Sequence, residues 1–189
     1  MSQNHEPEFL PAEEKNEKGT VKLQALLLDW ASVFLQALVI IVLIFMFAGR
    51  HSPVKGTSMV PTLYDKDVLV ISSFHYEPKQ GDIVVFINEA YKPEALVKRV
   101  VGLAGDKIEI DYNTNSVIVN GDILPEPYLG EEMFGSGIYS VTVPDGHIFV
   151  LGDNRNRSDD GRVFGPVDKR LILGKVLFRI FPLNRIGSV

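Results

Sequence analysis

Gly81-Asp82-Ile83-Val84-Val85-Phe86-Ile87 decides the fold class. A Gly-Asp turn runs into five apolar residues, four of them β-branched. Such a run is too short for a surface helix and suits a strand buried in a sheet. The pattern repeats outward from it. Val68 to Ile71 precedes it; Ala95 to Val101, Lys107 to Tyr112, Ser116 to Asn120, Tyr139 to Val143, His147 to Leu151 and Lys175 to Phe181 follow. Turn clusters such as Asn113-Thr114-Asn115, Asn120-Gly121 and Pro144-Asp145-Gly146 separate the strands. No amphipathic helical period interrupts them. These features predict a mainly β domain, an antiparallel barrel or sandwich of Greek-key type.

Ahead of the strands lies a different composition. Residues 31–48 read ASVFLQALVIIVLIFMFA and carry no charge. With Trp30 and Gly49, at ~1.5 Å per residue, the segment matches a hydrocarbon core of about 30 Å. It is predicted as one N-terminal transmembrane helix over residues 30–49. A buried core helix would have to be apolar on every face, and a cleaved signal would put Met46 where a small residue belongs. Residues 1–29 are polar and acidic and predict a disordered tail. Residues 50–189 form the β-rich domain. Lys15, Lys18 and Lys22 before the span, against Arg50 and Lys55 after it, favour a cytoplasmic N-terminus.

The 189 residues have a formal net charge of −5, with no basic region that would mark nucleic acid as a partner. There is no cysteine, which excludes disulfides, thiolate nucleophiles and cysteine-ligated metals. The four histidines lack metal-ligand spacing, so neither metal nor cofactor is expected.

Three stretches can carry chemistry. In Val54-Lys55-Gly56-Thr57-Ser58-Met59-Val60-Pro61-Thr62-Leu63, glycine and proline break regular structure and expose Ser58, although a plain turn has the same composition. In Leu96-Val97-Lys98-Arg99-Val100-Val101, strand alternation puts Lys98 on one face with Leu96 and Val100. Burial there disfavours the ammonium, and a neutral lysine can take a proton from a serine hydroxyl. The competing reading is an edge lysine snorkelling to water. Gly152 to Arg162 is rich in Asx residues and mixed charges. It reads as a solvated loop or a charge-knit turn, and its three arginines oppose a calcium site. A Ser-His-Asp triad is open by spacing, but nothing nominates its histidine.

Taken in order, these stretches resemble the boxes of type I signal peptidase, a membrane-anchored bacterial serine protease of family S26. Its serine box resembles Gly56 to Leu63, its lysine box Val97 to Asp106, and its third box Gly152 to Arg162. Gly81 to Phe86 and Gly174 to Leu183 are also similar to family segments. The resemblance implies Ser58 as nucleophile and Lys98 as general base. It implies that Ser158 hydrogen-bonds the lysine, that Asp160 pairs with Arg162 and Asp153 with Arg99, and that the Ser58 N–H helps bind an oxyanion. It further implies a substrate pocket near Gly56, Met59, Ile83 and Val85 for Ala-x-Ala preproteins. The implied setting is a single-pass enzyme with an extracytoplasmic catalytic domain, touching membrane lipid and close to the export translocon.

The chain departs from the family pattern in places. Gly56 matches the Gram-positive branch and leaves a second oxyanion donor unassigned; Arg157, Gly161 and Ala104 stand where asparagine, serine and proline are frequent. Two other functions fit the same residues. One is a self-cleaving Ser-Lys protease on this scaffold; the other is a non-catalytic, membrane-tethered β-domain.

Overall fold

A computed structural model describes residues 26–41, 51–72 and 76–189. The chain divides into an N-terminal unit and a β-rich unit beginning near residue 50, described in turn.

The N-terminal unit shows a helix, α1, over residues 26–41. Its apolar side chains, from Leu26 to Ile41, are exposed along its length. Residues 26–29, assigned above to the tail, are helical: Leu26-Leu27-Leu28 continue the apolar run across Asp29. Among the described residues no helix is long and apolar enough to cross a membrane. The rest of the tail, and residues 42–49 of the expected span, lie outside the described residues.

Among its described residues the β-rich unit has twelve strands. They are β1 (His51–Pro53), β2 (Val68–Ser72), β3 (Ile83–Asn88), β4 (Lys92–Leu103), β5 (Lys107–Asp111) and β6 (Ser116–Val119), followed by β7 (Asp122–Ile123), β8 (Ile138–Thr142), β9 (His147–Leu151), β10 (Val167–Asp168), β11 (Ile172–Phe181) and β12 (Gly187–Ser188). The larger sheet runs β1-β2-β11-β3-β4-β9-β10, with β12 on β11; the smaller runs β7-β6-β5-β8. Every pairing is antiparallel. The larger path is open at β1 and β10, so the barrel half of the expectation gives way to two packed sheets.

Sheet order explains which runs are apolar throughout. Strand β3 sits between β11 and β4, and Ile83 to Phe86 are all buried. A strand covered on both faces needs apolar side chains on both. Ile83 and Val85 pack in one core cluster with Met59, Leu63 and Val97; Val84 and Phe86 pack in another with Val100 and Ile148. A third cluster joins the two sheets, with Val101, Phe149 and Leu151 of the larger against Ile108, Ile110 and Val117 of the smaller. A short helix, α2 (Gly161–Phe164), follows the third loop, capped by Asp160 accepting the Arg162 N–H.

Candidate active site

The serine loop is held from both ends. Val54, Met59 and Leu63 sink into the first core cluster, which Val97 of β4 shares. Gly56 has φ +83°, a left-handed conformation natural only to glycine, and its N–H donates to Asp65 Oδ1 at 2.9 Å. Apolar anchors on either side leave Ser58 half exposed at the loop crest.

Lys98 reaches that crest from β4. Its register opposite Val84 places it between Leu96 and Val100, both packed in the Val84 cluster, so the amine is surrounded by protein. It is 3% exposed. The amine donates to Ser58 Oγ at 2.8 Å and to the Val97 carbonyl at 3.1 Å. Among the described residues no carboxylate pairs with it directly. Burial pushes its pKa down to about 8, against the pull of Asp160 and Asp159 toward the charged form.

The third loop braces both residues. The Ser58 carbonyl accepts the Asn154 N–H at 2.9 Å. Asp153 is buried and takes the Arg99 guanidinium in a two-pronged pair, at 2.9 and 2.7 Å. Its second oxygen also accepts the Thr62 hydroxyl, so one carboxylate ties the serine loop to the lysine strand. Asp160 accepts Arg162 Nε and Nη2, each at 2.9 Å, and the Gly152 N–H at 3.0 Å. The Arg99–Asp153 and Arg162–Asp160 contacts are therefore both present. Such desolvated, bidentate pairs hold geometry better than exposed ones.

Ser158 differs from expectation. Its buried Oγ has no hydrogen-bond partner among the described residues, and no bond joins it to Lys98. It is pressed against Gly152: a Cβ there would lie 2.1 Å from Ser158 Oγ and 2.6 Å from the Ser58 carbonyl oxygen. Both seryl groups thus crowd the same spot, and the hydroxyl in this rotamer is spent on packing.

The pocket residues divide. A cleft of about 220 Å³ opens over Ser58, lined by Gly56, Met59, Leu96 and Val97 among others. Gly56 lies on it, yet its N–H is already committed to Asp65 and is no oxyanion donor here. Ile83 and Val85 do not reach the cleft. They are 3% and 0% exposed, because the covered strand β3 sends them into the core. The β side of the cleft is β4, Ala95 to Lys98.

Sequence reasoning passed over four residues of the bracing network. Thr62, inside the serine box, donates its hydroxyl to Asp153. Arg155 is 3% exposed and forks onto Glu126, whose carboxylate also accepts the Tyr128 hydroxyl at 2.8 Å. The Arg99 guanidinium lies 3.9 Å over the Tyr128 ring. The only available signal was the clustering of Glu126-Pro127-Tyr128 in a strand-free stretch, which does not reveal its partners.

The family described as "Signal peptidase, peptidase S26" matches residues 27–181. A probable signal peptidase I-1 of a Synechocystis species is 37% identical over 163 residues, covering 81% of this chain and 82% of its own. Signal peptidase IB of Staphylococcus aureus strain Mu50 is 35% identical over 178 residues, covering 84% and 91%. A crystal structure of a signal peptidase I from Enterococcus faecalis V583 has 31% identity and a TM-score of 0.47, over 53% of this chain and 97% of its own. The chain belongs to the signal peptidases of family S26, serine endopeptidases that remove signal peptides from preproteins.

Proposed function

We propose that this signal peptidase cuts preproteins with a Ser58–Lys98 dyad. The single observation that supports it most is the 2.8 Å contact between a buried amine and a half-exposed hydroxyl at the floor of a cleft. Neutral Lys98 accepts the Ser58 proton as Oγ attacks the scissile carbonyl. The tetrahedral intermediate collapses when Lys98 returns that proton to the leaving amine, giving an acyl-enzyme. Water, deprotonated by Lys98, then attacks the ester, and the proton passes back to Ser58 Oγ. The Ser58 N–H faces the developing oxyanion, and such a donor is worth ~3 kcal/mol of barrier. Ser158, free of other partners, turns its hydroxyl to Lys98 during turnover. The shallow cleft beside Met59 suits small side chains before the cut, and the edge of β4 from Ala95 suits an extended peptide.

In this reading residues 30–49 anchor the enzyme, with the N-terminus cytoplasmic and the β domain outside, near the export translocon. Membrane lipid is a partner of the β domain. An exposed apolar face supports it: Phe178, Ile180, Phe181, Leu183 and Ile186 are 42–76% exposed around β11 and β12.

The test is cleavage of an Ala-x-Ala preprotein by the full chain in detergent. Ser58→Ala and Lys98→Ala are expected to lose ~10³-fold or more in kcat/KM while retaining the fold. Ser158→Ala is expected to lose ~10–100-fold, chiefly in kcat. Undiminished cleavage by Lys98→Ala would sink the dyad; a wild type that processes only its own chain would favour the self-cleaving alternative.

A further inference from the structure

The cleft over Ser58 is lined by four basic side chains, Lys55, Lys92, Lys98 and Arg157, and by one carboxylate, Asp159. Three of the four are occupied. Lys55 pairs with Glu94 at 3.3 Å, Lys92 pairs with Asp159 at 3.1 Å, and Lys98 is turned inward onto Ser58. The two ion pairs straddle the cleft, joining the serine loop and the third loop to β4. Arg157 is exposed and makes no ion pair among the described residues. Its backbone is held in a 3₁₀ turn, Arg155–Arg157, by the Arg157 N–H donating to the Asn154 carbonyl at 3.2 Å, and the first residue of that turn, Arg155, is anchored in the core on Glu126.

A guanidinium keeps its charge at every working pH and presents a fork that fits a carboxylate. A peptide filling the cleft would shed water from it, which strengthens any charge pair formed there. The near carboxylate, Asp159, is already matched by Lys92. With Lys98 neutral, as the reaction requires, the cleft that holds Ser58 therefore offers the substrate one uncompensated positive charge, Arg157.

We propose that Arg157 is a specificity-determining residue. It selects preproteins that carry an aspartate or glutamate close to the scissile bond, at the middle position of Ala-x-Ala or at one of the two positions after the cut, because Arg157 and Ser58 line one cleft of about 220 Å³. A lysine at the same place is disfavoured, since it meets Arg157 with no free carboxylate to offset it. The proposal rests on the dyad reading, because it takes Ser58 as the point where the peptide is cut.

The experiment uses the full chain in detergent and a set of Ala-x-Ala peptides. Glu, Gln or Lys is placed in turn at the middle position of the Ala-x-Ala motif and at each of the two positions after the cut. Wild type, Arg157→Asn and Arg157→Glu are compared by the Glu-to-Lys ratio of kcat/KM, which cancels differences in active fraction. At one position the wild type is expected to favour Glu by about tenfold, the preference shrinking as salt is raised. Arg157→Asn should bring the ratio close to one, and Arg157→Glu should invert it. A wild-type ratio near one at every position, or a ratio that both variants keep, overturns the proposal. Failure of the wild type to cut even the Gln peptides overturns the protease reading, and this proposal with it.

Discussion

Lys98 and Ser58 meet at 2.8 Å although 40 positions separate them in sequence. They meet because their chain neighbours do. Met59 and Val97 are buried in one core cluster, so the residue before the first and the residue after the second are brought edge to edge. The reactive pair is thus positioned by apolar packing, and the hydrogen bond is its consequence.

Activity should rise with pH. Lys98 acts as a base only when neutral, and its pKa is pushed down to about 8 from an ordinary value of 10.5, chiefly by burial. At pH 7 about a tenth of the molecules carry the neutral amine. The expected profile of kcat/KM climbs about tenfold per unit below pH 8 and levels above it. Cleavage of a neutral peptide across pH 6–10 checks this. A profile flat through that range would remove Lys98 as the base.

The same shift makes a stability prediction with a definite sign. Between about pH 8 and 10.5 the unfolded chain holds a proton on Lys98 that the folded chain has released. Folding stability therefore rises with pH through that window. Below it, the folded state bears the whole cost of a buried ammonium, roughly 3 kcal/mol. Lys98→Met should raise the denaturation midpoint at pH 7 and remove that part of the pH slope.

Gly152→Ala should damage the site from within. The new methyl would lie 2.5 Å from Ser158 Cβ and 2.6 Å from the Ser58 carbonyl oxygen, and the latter is backbone that cannot rotate away. Relief requires the serine loop to shift. We expect ~2 kcal/mol of destabilisation and a loss of ~100-fold in kcat, measured by thermal unfolding and by steady-state cleavage.

Asp153→Ala should cost more stability than any single surface change. It strips Arg99, whose side chain is 12% exposed, of its counter-charge, and frees Thr62 of the serine loop. Leaving one partner of such a pair uncompensated costs ~3–5 kcal/mol. A denaturant titration should show it, with activity falling in parallel because the serine loop and β4 lose their common tie.

Local patterns in the sequence were enough for much of this molecule. Val68 to Ile71, Ile83 to Ile87 and His147 to Leu151 lie within strands β2, β3 and β9, because β-branching and flanking turns act over a few residues. Burial of Lys98 was legible for a related reason: alternation put an amine between Leu96 and Val100. The shortest strands, β1, β7, β10 and β12, were not visible, since two or three residues carry no period and are ordered by the partner they pair with.

What the chain by itself determined is its inventory: an apolar run, a β-rich remainder, a serine on a broken loop and a lysine destined for burial. Only the tertiary structure decided how these are used. Sheet order turned Ile83 and Val85 into the core and left the cleft to β4. Packing set Ser158 against Gly152 instead of Lys98, and folding brought Glu126, Tyr128, Arg155 and Thr62 into the bracing of the site. The physical reason is one of range. Backbone propensity and side-chain alternation depend on near neighbours in sequence, whereas desolvation, ion pairing and pocket lining depend on which distant segments exclude water together.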